Sequence, residues 1–175
     1  MIAGQYIVVT DLGGFSKLIT ASQVTKVEEV LDRLLEAVGQ VCEEFGGRNR
    51  ENNGDEYCVT FTDADRAMTA TERLTEEWEV FIRSENLDCP MAVVVHRGDL
   101  YLYRSYLYSV DLMVVSAVMG AGRRLAGNDT AIFVTGQVRR ELLGTPWHAR
   151  LRRVDVGPGY LDRLAEIEVF RLGVG

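Results

Sequence analysis

The spacing of apolar residues predicts three long helices, over residues 16–44, 63–84 and 110–125. In the first, apolar positions recur at steps of three and four residues, the period of a helix with one buried face. These positions are Val27, Val30, Leu31, Leu34, Leu35, Val38, Val41 and Cys42. The second predicted helix shows the same pattern at Ala67, Ala70, Leu74, Trp78 and Phe81. Phe45-Gly46-Gly47 ends the first helix, as a glycine after a C-terminal turn commonly does.

Short apolar runs between these helices predict strands. The runs lie at residues 6–10, 57–61, 90–96, 100–103 and 131–135. The polar segment 47–52 is expected to be a strand only if it lies at the site side of the sheet, with Gly54-Asp55 as its hairpin turn. Gly98 is expected to end the strand from Pro90, so that 100–103 forms its hairpin partner.

The C-terminal part predicts a short helix over 137–143 and strands near 148–154 and 165–171, with a turn at Gly157-Pro158-Gly159. The resulting order begins β-α-β-β-α-β. This order predicts an α+β fold, a ferredoxin-like sandwich with extra C-terminal strands and a helix. At 175 residues the chain is expected to form one domain over 1–175.

Composition narrows the class of protein. The net charge of −7 argues against a nucleic-acid-binding surface, which needs a basic face. Cys42, Cys58 and Cys89 lie far apart without C-x-x-C spacing, so free thiols are expected. No signal peptide or membrane-spanning run is visible. We therefore expect a soluble cytoplasmic protein with no membrane contact.

Two Asp-containing segments suggest a metal and phosphate site. Val9-Thr10-Asp11-Leu12-Gly13-Gly14-Phe15 ends one predicted strand, and Asn53-Gly54-Asp55-Glu56-Tyr57 opens another. Carboxylate oxygens suit Mg²⁺ or Mn²⁺, and these ions commonly carry phosphates with them. Glycines leave backbone N–H groups accessible to those phosphates.

These segments resemble the T-D-x-x-G-F-[ST] and G-D motifs of class III adenylate/guanylate cyclase catalytic domains. Two weaker matches, His96-Arg97-Gly98-Asp99-Leu100 and Ala131-Ile132-Phe133-Val134-Thr135, extend the resemblance along the chain. The resemblance implies two Mg²⁺ or Mn²⁺ ions held by Asp11, the Leu12 carbonyl and Asp55. It further implies that the amides of Gly13, Gly14 and Phe15 face the phosphates of a nucleoside triphosphate.

The chain departs from the family where the chemistry needs an Asn and an Arg. The family motif runs like Y-G-x-D-V-N-x-A-x-R, and the matching segment here is Tyr108 to Ala117, with Met113 at the Asn position and Ala117 at the Arg position. Neither side chain can orient a ribose or neutralise charge on the transferring phosphoryl group. Arg123 and Arg124 follow, and a shifted alignment would make them catalytic. They also suit a helix C-terminus, where cations are favourable.

The base preference is left open. Glu51 occupies the base-selecting position at which, by the resemblance, Glu favours guanine. A solvated Glu on a hairpin arm explains it as well. The second base-selecting position falls near Tyr106, which fits neither purine pattern. Tyr101, Tyr103, Tyr106 and Tyr108 recur at two-residue steps, which suggests either a dimer surface or a half-buried sheet face.

Three interpretations follow. The favoured one is a stand-alone class III cyclase-homology domain, a homodimer that binds metal and a nucleoside triphosphate with weak or no turnover. A heterodimer with another cyclase chain would restore the missing residues. The second is an active, divergent cyclase in which Arg123 or Arg124 meets the transition state. The third is a structural dimerisation domain whose Asp residues only cap turns.

Overall fold

The computed structural model describes residues 1–21, 24–157 and 167–173. The strands are β1 (Ile2–Leu12), β2 (Arg48–Asn53), β3 (Glu56–Phe61), β4 (Met91–Tyr103), β5 (Tyr106–Tyr108), β6 (Ala131–Thr135), β7 (Leu151–Val154) and β8 (Val169–Leu172). The helices are α1 (Phe15–Ala21), α2 (Val24–Phe45), α3 (Ala64–Ser84), α4 (Val110–Ala126), α5 (Gly136–Glu141) and α6 (Pro146–Arg150). None of these helices is long and apolar enough to cross a membrane.

The strands of the described chain form one mixed sheet in the order β2-β3-β1-β4-β6-β8-β7, with β5 paired to β4. The strand β1 is antiparallel to both of its neighbours, β3 and β4. The strand β6 is parallel to β4, after the crossover through α4. The first four strands have the ferredoxin-like arrangement, and the mixed sheet with its helices confirms the predicted α+β class.

Helices cover both faces of the sheet. The helices α2 and α3 pack on one face, where Leu34 and Trp78 are buried with Val8 of β1. The helix α4 packs on the other face, where Val118 is buried with Val9 and other strand residues. Alternate residues of β1 therefore belong to different layers. Residues of odd number, including Asp11, point toward the α4 layer.

The helical periodicity predicted the buried faces well. The single helix predicted over 16–44 corresponds to two helices, α1 and α2, which lie on either side of residues 22–23. Most of the predicted face of α2 is buried or partly buried, although Leu35 is exposed. The predicted face of α3 is buried through Trp78, and Phe81 packs partly buried beside it. All three cysteines are free, as expected.

The predicted end of a strand at Gly98 is wrong. The strand β4 continues through Gly98 to Tyr103, and its hairpin partner is β5. Gly98 is needed because the Asp111 carboxyl group lies against its Cα, where a Cβ atom would overlap it. Close approach of another residue, and not a break, explains this glycine.

The C-terminal predictions are partly wrong. His148 lies in the short helix α6, which begins with Pro146 at its first turn, so the strand starts only at Leu151. The last strand begins at Val169, while residues 165 and 166 of the predicted strand lie outside the described residues. Two residues of the predicted turn 157–159 also lie outside them.

Candidate functional site

Two of the predicted site segments meet at one end of the sheet. Asp11 and Leu12 end β1, and Asp55 lies in the turn between β2 and β3. The pairing of Thr10 with Tyr57 brings these ends together, and the Leu12 N–H donates to Asp55 Oδ2 at 3.4 Å. The structure therefore places Asp11 and Asp55 side by side, as the two motifs indicated.

Acidic side chains accumulate around this point. Burial raises the pKa of Asp55, and the nearby negative charge of Asp11 adds to the rise. Burial also raises the pKa of Glu56, with further contributions from Asp11, Asp55 and Glu51. Carboxylates that raise one another's pKa create a site that favours a cation. The sequence analysis assigned no role to Glu56, although it directly follows Asp55.

The cation that the structure places here is Arg123. Its Nε donates to Asp11 Oδ2 at 2.5 Å, and its Nη1 donates to the Pro90 carbonyl at 3.2 Å. Arg123 reaches the site from the last turn of α4, because α4 runs antiparallel to β4 and ends near the start of that strand. Arg124 instead lies exposed and donates to the Gly120 carbonyl. Of the two predicted arginines, only Arg123 lies in the site.

The glycine turn is packed against the segment before β4. The Gly13 N–H donates to the Pro90 carbonyl at 2.6 Å, so this amide is engaged within the protein. Gly14 has a φ of +74°, and a Cβ there would lie 2.8 Å from the Asp88 carbonyl oxygen. Phe15 is buried and begins α1. The turn needs its glycines for close packing as much as for any ligand.

One donor of the implied two-metal site is already paired with a cation of the protein. Asp11, Asp55 and the Leu12 carbonyl are hard oxygen ligands of the right type. One oxygen of Asp11 is occupied by the Arg123 guanidinium. In the described part of the chain, no group of three or more His, Cys, Asp or Glu side chains is placed to hold a metal. With Arg123 bound to Asp11, this arrangement does not present the two open carboxylates that a pair of divalent ions would need.

The positions aligned with the family's Asn and Arg lie far from Asp11 in the same chain. Met113 precedes Arg123 by ten residues on α4, which corresponds to about 15 Å along the helix. Met113 is 53% exposed, and with Ala117 it lines an open apolar groove of about 800 Å³. Tyr101, Leu107 and Tyr108 line the other side. A single chain does not bring this groove to the carboxylates.

The predicted base-selecting residues are also separated. Glu51 lies exposed on β2, opposite Cys58 of β3, near the carboxylates. Tyr106 lies at the tip of the β4–β5 hairpin, at the other end of β4. The hairpin pairs Tyr101 with Tyr108 and Tyr103 with Tyr106, so the four tyrosines share one face, and all four are exposed. The alternative in which these four tyrosines lie on a half-buried face of the sheet is therefore wrong.

A buried polar network fixes the N-terminus of α4, and sequence reasoning missed it. His96 Nδ1 lies 3.0 Å from Thr135 Oγ1, and its Nε2 lies 3.2 Å from Asp111 Oδ1. The other Asp111 oxygen accepts the Asp99 N–H. Burial lowers the pKa of His96, although Asp111 opposes this. Only the pairing of β4 with β6 brings His96 beside Thr135, and no local spacing of residues indicates this contact.

This fold is that of class III nucleotide cyclase catalytic domains. Adenylyl cyclase CyaB from P. aeruginosa superimposes with a TM-score of 0.77 and 12% identity, over 98% of this chain and 94% of that one. The guanylate cyclase domain of RhGC from Catenaria anguillulae, in complex with GTP, gives 0.75 and 12%, over 97% and 96%. The non-canonical dimeric guanylyl cyclase domain of the RhoGC fusion protein from Blastocladiella emersonii gives 0.73 and 11%, over 98% and 94%.

The similarity to known proteins is structural. No protein-family model matches the sequence, and no curated protein is significantly similar to it. At these identities the superpositions establish the fold alone. The predicted resemblance to the cyclase catalytic domain is confirmed at that level.

Proposed function

We propose that this chain is a catalytically impaired nucleotide cyclase domain that forms a homodimer and binds a nucleoside triphosphate with weak or no turnover. The observation that carries the proposal is the apolar groove on α4. Met113 and Ala117 line it, and by the sequence resemblance they stand at the positions of the Asn and Arg that the cyclase reaction needs. Loss of one such contact to a developing charge typically slows an enzyme by a hundredfold to a thousandfold.

The homodimer is supported by a group of exposed apolar residues. The exposed large apolar residues include a group on the β4–β5 hairpin and the first turns of α4. They are Tyr101, Leu102, Tyr103, Tyr106, Tyr108, Val110 and Met113. Apolar surface of this extent on a soluble protein is typical of an interaction site, and tyrosine is enriched in such interfaces. A second copy is the occupant we propose, because a cyclase site is completed by a second chain.

The molecular mass in solution tests the dimer. Tyr106→Glu places a charge on the proposed interface, whereas Val80→Glu places one on the outer face of α3. The two residues are matched in exposure, at 69% and 67%. Sedimentation equilibrium should give twice the chain mass for the wild type and Val80→Glu, and the chain mass for Tyr106→Glu. A dimer unaffected by Tyr106→Glu would refute this interface.

Nucleotide binding is supported by the fold and by the polar end of the sheet. A structural neighbour of this chain is a guanylate cyclase domain in complex with GTP. In this chain the glycine turn and the two Asp residues occupy one end of the sheet, next to the cationic Arg123. Titration with fluorescent ATP and GTP analogues, with and without Mn²⁺, should show saturable binding. Absence of binding under both conditions would favour a purely structural dimerisation domain.

A second candidate function is favoured by one contact. Arg123 reaches Asp11 within the same chain, so an arginine is present in the site despite Ala117. An active, divergent cyclase in which Arg123 stabilises the transferring phosphoryl group is therefore the alternative. Such an enzyme would form a cyclic nucleotide, and its activity would be lost in Arg123→Gln but kept in Arg124→Gln.

A further inference from the structure

Arg123 is held in the carboxylate site by two acceptors from different segments. Asp11 Oδ2 accepts from Nε at 2.5 Å, and the Pro90 carbonyl accepts from Nη1 at 3.2 Å. The side chains of Arg123 and Asp11 are only 19% and 29% exposed. The contact therefore joins a guanidinium to a carboxylate where water is partly excluded.

The local sequence after Asp11 makes room for the guanidinium. A Cβ at Gly13 would lie 2.6 Å from Arg123 Nη1 and 3.0 Å from Pro90 Cγ. The Gly13 N–H also binds the same Pro90 carbonyl that accepts from Arg123. Glycine at this position therefore allows Arg123 to lie flat against the turn, which any side chain would obstruct.

The end of α4 is packed closely enough to direct Arg123 into the site. Gly122, the preceding residue, lies against the buried ring of Phe133, where a Cβ would come within 2.7 Å of ring carbons. Arg124, the next residue, points away and donates to the Gly120 carbonyl at 2.9 Å. The chain thus places one of two adjacent arginines in the site and leaves the other on the surface.

A divalent ion and Arg123 would compete for the same oxygen of Asp11. Two positive groups so close together repel strongly where water is partly excluded. We propose that Arg123 serves as the built-in cation of this site, replacing a divalent ion at Asp11, so that removing Arg123 creates a metal site that the wild-type protein lacks.

This inference concerns the cation alone and goes beyond the proposed function. The test is a Mn²⁺ titration of the metal-free protein followed by electron paramagnetic resonance, without nucleotide. Arg123→Gln removes the charge but keeps an amide donor, and Arg124→Gln is the matched control. We expect Arg123→Gln to bind Mn²⁺ at least tenfold more tightly than the wild type, and Arg124→Gln to equal the wild type. Adding Asp11→Asn to Arg123→Gln should abolish the gain.

A second variant provides an independent test if Arg123→Gln does not fold. Gly13→Ala leaves the charge in place but displaces Nη1 from the turn, so it should also increase Mn²⁺ affinity. Equal Mn²⁺ affinity in the wild type, Arg123→Gln and Gly13→Ala would overturn the proposal, whether that binding is tight or absent. Because no nucleotide is present and Arg123 contacts Asp11 within one chain, such a result would leave the proposed function standing.

Discussion

Two glycines of α4 test how closely this helix packs on the sheet. Gly120 is exposed and has no heavy atom within 4 Å of a built Cβ, whereas a Cβ on Gly122 would lie 2.7 Å from the Phe133 ring. Phe133 is fully buried, so the ring cannot move into solvent. An alanine should therefore disturb the packing at position 122 and leave it unchanged at position 120, although both residues lie in one helix.

The magnitudes follow from two terms. Replacing glycine by alanine inside a helix stabilises it by about 1 kcal/mol, and this term is common to both variants. Overpacking of a buried site costs about 1–3 kcal/mol and applies only to Gly122→Ala. The difference between the two variants is therefore about 1–3 kcal/mol. Gly120→Ala should be more stable than the wild type, and Gly122→Ala of equal or lower stability.

Urea denaturation at a fixed protein concentration measures this difference directly. For a chain of this length, each kcal/mol also corresponds to about 2–4 °C in the melting temperature. Equal stabilisation by Gly120→Ala and Gly122→Ala would refute the close packing of α4 on β6. It would also remove the support for the position of Arg123, which the end of α4 directs.

Two further predictions concern pH. The raised pKa of Asp55 means that its ionised form destabilises the fold, so stability is lost as pH rises through that pKa. Asp55→Asn should therefore melt higher than the wild type at pH 7 in metal-free buffer, and this advantage should shrink on acidification and vanish below the unfolded pKa of 3.8. A variant that melts lower at pH 7 would contradict the burial argument. His96 has a lowered pKa in the fold, so the unfolded chain takes up the proton first and wild-type stability should fall as pH drops through about 6.5. His96→Gln should flatten the pH dependence of the melting temperature between pH 5 and 7, and an unchanged slope would contradict it.

The order of elements could be predicted because the apolar pattern is strong. Helices with one buried face show a regular period, and Trp78 or Leu34 lie where that period places them. The proximity of Asp11 and Asp55 also followed from sequence, since each lies at a strand end next to a turn. The sequence pattern was sufficient to predict these features because each depends on residues close together in the chain.

Other features depend on contacts between distant segments. Gly98 has the same local signature whether it ends a strand or admits a neighbour, and only the approach of Asp111 decides between them. The contact of Arg123 with Asp11 depends on the direction in which α4 crosses the sheet. The spacing of residues along the sequence does not indicate that direction. The helix at His148 replaced a predicted strand because Pro146 favours a helical first turn.

The most direct test of the account is turnover by the wild-type protein. Purified protein is incubated at high concentration with ATP, GTP, CTP and UTP in Mn²⁺, and cyclic products are detected by mass spectrometry beside Asp55→Ala. The account predicts no cyclic product, or a trace at the level of Asp55→Ala, because Met113 and Ala117 cannot orient the ribose or neutralise the phosphoryl charge. A cyclic product that disappears in Asp55→Ala would contradict it and establish an active cyclase.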